Sequence, residues 1–193
     1  MRIVGGALGG RRFAGPRGDA TRPTSERVRE AVGSALEARG AIEGAHVIDL
    51  FAGTGALGLE AYSRGAEAVV LVERSRRVAR TIAERLARLD LAADPTVRLV
   101  VADAKSAIRR LAREASPPFD LVLLDPPYAE EDARQATLEA LVDAALLAPE
   151  ARVVVERPKR HPLPPSTGLR LIDERRYGDT VLTWLGPAGR REA

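Results

Sequence analysis

The sequence predicts an α/β fold: a doubly wound, mostly parallel seven-stranded sheet that ends in an antiparallel hairpin. Three observations carry this. Short apolar runs alternate with stretches of helical periodicity from residue 46 to residue 156. The runs are near-continuously apolar rather than alternating, as in strands covered by helices on both faces. The alternation then gives way to two runs split by Tyr177-Gly178-Asp179, the pattern of a hairpin.

The elements follow in order. The first 20 residues are rich in Gly and Arg, with apolar stretches at Ile3-Val4 and Phe13, and read as a small hairpin or an arm with Gly turns. Pro23-Thr24 opens a helix with Thr24 as N-cap; Val28, Ala31, Val32, Ala35 and Leu36 recur at helical spacing, and Gly40 ends it. His46 starts a buried strand, Val47 to Phe51, followed by a glycine-rich loop and a helix ending near Arg64-Gly65. Ala68 to Glu73 is the second strand, and Ser75 caps a helix with Val78, Ile82, Leu86 and Leu89 on one face. Val97 to Val101 is the third strand, with Asp103 just past its end and a short helix over Ala107 to Leu111. Phe119 to Leu124 is the fourth and runs into Asp125-Pro126-Pro127-Tyr128. A helix near Asp132 to Leu147 precedes a fifth strand, Val153 to Glu156; Leu169 to Arg176 and Thr180 to Leu185 form the hairpin.

Composition narrows the function. With no cysteine, disulfides, thiolate nucleophiles and the usual structural zinc sites are excluded, and His46 and His161 are too few and too far apart for a metal centre. No apolar run approaches the roughly 20 residues that cross a bilayer, and the start lacks the apolar core of a signal peptide, so a soluble cytoplasmic protein is expected. The net charge of +3 is unevenly placed. Residues 1–30 hold seven Arg against three acids, residues 157–193 hold eight basic against four acidic residues, and the middle is acidic. A cationic face built from both ends would attract a phosphate chain through counterion release; a GC-rich genome would also account for the abundance of Arg.

In an open parallel sheet, ligands sit beyond the carboxyl ends of the strands. The first end reads Asp49-Leu50-Phe51-Ala52-Gly53-Thr54-Gly55-Ala56-Leu57-Gly58. Gly53-x-Gly55-x-x-Gly58 fits the dinucleotide fingerprint, and Glu73 lies where a ribose-binding acid is expected. Asp49 selects among ligands. A carboxylate beside the loop would repel a pyrophosphate, whereas the ammonium and sulfonium of S-adenosylmethionine are favoured by it. Glu73 would accept both ribose hydroxyls, and Asp103 either accepts from the adenine amine or caps the next helix. The cofactor contacts expected are Asp49, Phe51, Ala52, Gly53, Thr54, Gly55, Glu73, Arg74, Asp103, Ala104 and Asp125.

The fourth end is the sharpest feature. Two prolines fix φ and keep Asp125 out of the helical region, aiming its carboxylate and the Pro126 carbonyl at one point, with Tyr128 free to stack on a base. An exocyclic amine is a poor nucleophile because its lone pair is delocalised into the ring. Two acceptors on its hydrogens favour a pyramidal nitrogen, and in-line placement at roughly 3–3.5 Å from a sulfonium methyl supplies much of the remaining rate. Asp125, Pro126, Pro127 and Tyr128 are the expected catalytic residues.

These residues resemble the class I S-adenosylmethionine-dependent methyltransferases with a Rossmann-like fold, in the subset that modifies exocyclic amines. Arg2 to Gly6, Gly10-Arg11-Arg12, the run Thr21 to Glu30, Asp49 to Ala61, Asp125 to Tyr128 and Tyr177 to Thr180 further resemble the bacterial small-subunit rRNA guanine-N2 methyltransferase (RsmD) family. Tyr62 stands where that resemblance leads one to expect an aliphatic residue. The resemblance implies N2 methylation of one guanine in a hairpin loop of 16S rRNA near the P site. It also implies an assembled or partly assembled 30S subunit as substrate, and a monomer without metal or membrane is expected. Residues 1–22 are then a basic RNA-binding extension and 23–193 the methyltransferase domain. Arg11, Arg12, Arg17, Arg22, Thr24, Arg27 and Arg29 are the expected RNA contacts, with a solvated surface as the other reading. Arg175, Arg176 and Tyr177 are open between edge-strand packing and RNA contact.

Guanine suits a carboxylate acceptor, because its Watson–Crick edge offers two adjacent donors; adenine offers a donor beside an acceptor. Three other activities share parts of this pattern. An adenine-N6 methyltransferase acting on DNA would need a target-recognition segment this chain has no room for. A nicotinamide-dependent dehydrogenase would leave Asp49 and the Pro-Pro turn unexplained. A non-catalytic assembly factor would be marked by loss of Asp125 or Gly53, and both are present.

Overall fold

A computed structural model describes residues 2–12, 26–127, 131–165 and 168–189. The expectations at Phe13, Arg17, Arg22, Thr24 and Tyr128 lie outside these residues, as does the side chain of Arg27. The elements are α1 (Glu26–Glu37), β1 (His46–Asp49), α2 (Ala56–Ser63), β2 (Ala68–Glu73), α3 (Arg76–Arg88), β3 (Val97–Val101), α4 (Ala104–Arg113), β4 (Phe119–Leu124), α5 (Glu131–Asp143), β5 (Leu147–Pro158), β6 (Leu169–Tyr177) and β7 (Thr180–Pro187). The strands form a seven-stranded sheet in the order β3-β2-β1-β4-β5-β7-β6. β1 to β5 run parallel, while β7 is antiparallel to both β5 and β6.

Successive strand residues serve opposite faces. Val47, Val69, Leu71, Leu121 and Leu123 pack with Val32, Leu36, Leu59, Ile82 and Leu86 of α1, α2 and α3. Ile48, Val72, Val122, Leu124, Val153 and Val155 pack with Ile108, Leu111, Leu138 and Leu141 of α4 and α5. β2, β3 and β4 run between the residues the sequence indicates, since each apolar run ends abruptly at a polar residue or turn. α5, expected to run to Leu147, ends at Asp143, while α4 and β5 begin well before their expected starts. α4 starts at Ala104, directly after its cap, and β5 starts at Leu147. The early part of β5 is interrupted: Phe119 pairs with Leu147 and Leu121 with Arg152, an irregularity that accommodates Pro149.

The described amino-terminal residues 2–12 pack against the rest of the chain. Arg2 and Arg12 form an isolated antiparallel bridge, so a short hairpin is present, and it is built into the core rather than appended to it. Ile3 is 1% exposed. The Val4 and Gly5 amides donate to the two carboxylate oxygens of Glu60 at 2.8 Å each. Ser63 Oγ accepts from the Leu8 amide at 2.9 Å and donates to the Gly5 carbonyl at 2.5 Å. Glu60 is 2% exposed and also accepts from Arg64 Nε at 2.8 Å. Arg64 lies so close to Gly5 that a β-carbon there would stand 2.6 Å from its Nη2. Deleting residues 1–20 would therefore strip a buried carboxylate of partners, besides removing the exposed Arg2, Arg11 and Arg12.

At the hairpin end of the sheet, Arg39 donates to Asp173 of β6 at 2.5 Å and its guanidinium stands 4.5 Å over the Trp184 ring. Arg175 Nε reaches the same Asp173 at 3.3 Å, and Tyr177 packs half-buried against the core, so both are engaged at this edge. Tyr62 departs from an aliphatic residue to a specific end: its hydroxyl donates to Asp94 at 2.8 Å. No helix among the described residues is long and apolar enough to cross a membrane.

Candidate active site

The direction of winding reverses at β1, which pairs with β2 on one side and β4 on the other. This is the switch point at which open α/β sheets bind ligands. Four acids stand in adjacent order along that carboxyl edge: Asp103 after β3, Glu73 ending β2, Asp49 ending β1, and Asp125 after β4. Among the described residues no group of three or more His, Cys, Asp or Glu is placed to hold a metal ion.

The loop between β1 and α2 is held from three directions. Leu50 N donates to the Leu123 carbonyl at 3.0 Å, tying it to β4, and Ala52 N donates to the Val72 carbonyl at 2.9 Å, tying it to β2. Gly53 and Gly55 have φ of +51° and +74°, the left-handed region that glycine enters without strain, and Gly55 caps α2. Gly58 is needed for a different reason: a β-carbon there would lie 2.3 Å from Leu71 Cδ2, so α2 can approach β2 only without one. Glu73 spans the loop, accepting from Gly53 N at 3.0 Å and from Ser75 N at 2.7 Å. A carboxylate has lone pairs for further donors beyond these.

Asp49 is 1% exposed, and its Oδ2 accepts from Gly58 N at 3.1 Å. Its Oδ1 is buried without a hydrogen-bond partner among the described residues. Burial pushes the Asp49 carboxyl up to about 7, the nearby charges of Asp125 and Glu73 add to this, and the Gly58 and Phe51 backbone amides pull the other way. An acid whose folded pKa is raised stabilises the fold fully below its unfolded pKa of 3.8, and that contribution is lost as pH rises through about 7. The site is thus built around a carboxylate that is incompletely satisfied at neutral pH. A cationic ligand would supply the missing partner.

The other expected residues fall as follows. Phe51, Gly53 and Thr54 are half-buried on the loop, Ala52 and Gly55 are buried in it, and Arg74 is exposed just beyond Glu73. Asp103 caps α4, accepting from Ser106 N at 2.9 Å, and that hydrogen bond holds its pKa below the usual range; capping is therefore part of its role. Ala104 begins α4. Asp125 is half-buried, Pro126 buried and Pro127 exposed. Arg11 and Arg12 are exposed on the hairpin, consistent with a contact surface. Arg29 is not: it is 1% exposed and one guanidinium nitrogen reaches the Arg2 carbonyl at 3.4 Å. It corrects from an RNA contact to a packing residue that joins α1 to the hairpin, because it falls on the buried stripe with Val32 and Leu36.

One residue of the site escaped the sequence reading. Arg85 of α3 is 2% exposed and donates from Nη1 to the Thr54 carbonyl, bracing the tip of the glycine loop from behind. Burial holds its pKa below the usual arginine value. The signal available was its place in an apolar stripe, between Ile82 and Leu89, where a solvated arginine does not belong.

A family model described as Conserved hypothetical protein 95 matches residues 1–186. The ribosomal RNA small subunit methyltransferase D of Escherichia coli (strain K12) is 37% identical over 85% of this chain and 78% of the relative. Its Haemophilus influenzae counterpart is 32% identical over 92% of this chain and 89% of the relative. Among solved structures, a hypothetical protein of Thermus thermophilus is similar with a TM-score of 0.80 at 29% identity, over 97% of this chain and 99% of that one. With the family model spanning nearly the whole chain, and with relatives of this similarity, the chain belongs to the RsmD family of S-adenosylmethionine-dependent methyltransferases.

Proposed function

We propose that this chain transfers the methyl group of S-adenosylmethionine to the exocyclic N2 amine of a guanine in small-subunit ribosomal RNA, acting on assembled or partly assembled 30S subunits. The observation that carries it is the pairing of two acids across the switch point: Asp49, with a buried unpartnered oxygen among the described residues, and Asp125, close enough for its charge to raise the Asp49 pKa. The names of the relatives, small-subunit rRNA methyltransferases, support the RNA class. The exposed Arg11 and Arg12 suit a phosphate chain.

S-Adenosylmethionine, when bound, supplies an electrophilic methyl on a positively charged sulfur. The residues of this chain do the rest. Asp49, Gly53, Thr54 and Gly55 would hold its amino-acid end, Glu73 its ribose hydroxyls, and Asp103 with Ala104 its adenine. The Asp125 carboxylate and the Pro126 carbonyl would accept the two N2 hydrogens and turn the lone pair toward the methyl carbon. Held in this way, the amine would be aligned to take the methyl group, and the alkylated amine would lose a proton to solvent. Tyr128 would stack on the base. Asp125 acts as an acceptor and positioner, so no strong base is required.

Two measurements check this. Nucleosides from small-subunit rRNA of cells lacking this chain should be missing one N2-methylguanosine by mass spectrometry, and the purified chain with S-adenosylmethionine should restore it. A loss at an adenine, or no loss, overturns the assignment. Separately, because Asp49 titrates near neutrality without ligand, binding a cation there should release a proton. S-Adenosylmethionine should bind about tenfold more weakly at pH 6 than at pH 8, with proton release visible by calorimetry in buffers of different ionisation heat. Asp49→Asn should flatten that dependence.

A further inference from the structure

Three strands run on past the level at which β4 ends. Leu124, the last residue of β4, pairs with Val155, and β5 continues from there to Pro158. Those three residues carry it about 10 Å further, at 3.3 Å per residue. Pro158 pairs with Thr180, and Thr180 with Tyr177, so the start of β7 and the end of β6 project with it. The result is a raised rim on the carboxyl edge of the sheet, on the side of β4 away from the glycine loop. It bears Lys159 and Arg160, directly after β5, and Arg176 near the end of β6, all three exposed.

The rim is held from within. Arg157 is 6% exposed, and a buried guanidinium is costly unless its bonds are made. It donates to Glu174 Oε1 at 2.5 Å and Thr183 Oγ1 at 2.9 Å, and then to the carbonyls of His161 at 3.3 Å and Pro158 at 3.5 Å, which bracket Lys159 and Arg160. The Lys159 amide donates to the Asp179 carbonyl at 2.8 Å and the His161 amide to the Pro158 carbonyl at 3.0 Å, closing the turn. Arg160 Nε donates to His161 Nε2 at 3.0 Å. The cations therefore ride on a fixed turn. The acids of β6 are already engaged: Asp173 by Arg39 and Arg175, and Glu174 by Arg157 and Thr183. The bond to Arg157 holds the Glu174 carboxyl below the usual range, and the charge of Arg176 adds to this. We infer that Lys159, Arg160 and Arg176 form a docking surface for the sugar–phosphate backbone of the rRNA that flanks the methylated nucleotide. Exposed cations on a preformed turn gain by releasing the counterions of a phosphate chain. A base presented to Asp125 brings its own flanking phosphates with it, and the rim is the cationic wall on that side of the site. This rests on the proposed rRNA substrate, not on guanine being the base.

The test is binding, measured apart from methyl transfer. Lys159→Ser combined with Arg160→Ser should weaken association with 30S subunits roughly ten- to hundredfold by filter binding, and reduce the slope of log K against log salt by roughly 1.4–1.8. Adding Arg176→Ser should reduce the slope by roughly 0.7–0.9 more. The three side chains are exposed, so the melting temperature should move by no more than about 2 °C. Arg88→Ser combined with Arg113→Ser is the control: it makes the same change in charge on exposed arginines at the far ends of α3 and α4, and should leave the slope unchanged. Hydroxyl-radical cleavage at saturating protein separates the partner classes. The wild type should protect a stretch of rRNA backbone that the Lys159/Arg160 double variant leaves open. Full rRNA protection by that variant despite weaker affinity would assign the rim to a ribosomal protein and overturn the inference. Unchanged affinity and slope, or an equal loss in the control, would overturn it as well. Should the wild type bind no subunits, the rRNA reading falls and the rim with it. Should it bind but yield no N2-methylguanosine, only the guanine assignment falls, and the footprint still decides the role of the rim.

Discussion

Asp125→Ala should lower methyl-transfer turnover by about 10²–10³, with S-adenosylmethionine affinity at pH 8 changed by no more than about threefold. The asymmetry follows from geometry. The contacts proposed for the cofactor lie mostly on β1, β2 and β3, whereas Asp125 follows β4 on the other side of the switch point. Removing it takes one of two acceptors from the target amine and leaves the glycine loop tied by Glu73 and by the Leu123 carbonyl. Asp125→Asn keeps one acceptor oxygen and should lie between wild type and alanine. A second signature accompanies the first. The Asp125 charge helps raise the Asp49 pKa, so in the alanine variant the loss of cofactor affinity on acidification should begin at a lower pH. Single-turnover kinetics and titration calorimetry read both quantities. Wild-type turnover in the alanine variant would remove Asp125 from the chemistry, and a loss confined to cofactor affinity would move it to the binding side.

Glu60→Ala should destabilise the fold by about 3–5 kcal/mol, the range for removing one partner of a buried ion pair. Glu60 is 2% exposed and holds two hairpin amides together with the Arg64 guanidinium. Without it, Arg64 keeps Glu37 as its acid partner, and the Val4 and Gly5 amides lose theirs. At roughly 2–4 °C per kcal/mol for a domain of this size, the melting temperature should drop by about 10 °C. Limited proteolysis should then cut within residues 2–12 before the rest of the chain. Glu60→Gln, which keeps an acceptor oxygen, should recover part of the loss. An unchanged melting temperature would show that the hairpin is held by Ile3 packing alone.

Both outcomes bear on how far the sequence could be read. The sheet was legible because parallel strands must be apolar on both faces, and the acids at their ends interrupt the runs at Glu73 and Asp125. The glycine loop was legible because φ near +51° and +74° at Gly53 and Gly55, and the 2.3 Å approach at Gly58, leave few other residues possible. Hidden were the residues whose roles depend on long-range packing. Glu60 reads as an ordinary helical acid until the hairpin folds over it. Arg29, Arg85 and Arg134 share one lesson. Each falls at helical spacing within an apolar stripe, at Val32 and Leu36, Ile82 and Leu89, and Leu138 and Leu141, where an arginine is buried rather than solvated. Reading charge by segment counted Arg29 as surface and so overstated the basic face near α1, while Arg85 and Arg134 were counted within the acidic middle. α4 was read short because its polar first turn hides the start that Asp103 caps.

The chain has a single tryptophan, Trp184, which is wholly buried on β7 beneath the Arg39 guanidinium. Its intrinsic fluorescence therefore reports one seam, where the segment after α1 is latched to Asp173 of the edge strand. A red shift in emission on heating or denaturant would time the release of that latch. Against circular dichroism of the helices, it would tell whether the amino-terminal third of the protein comes away from the sheet first or melts together with it.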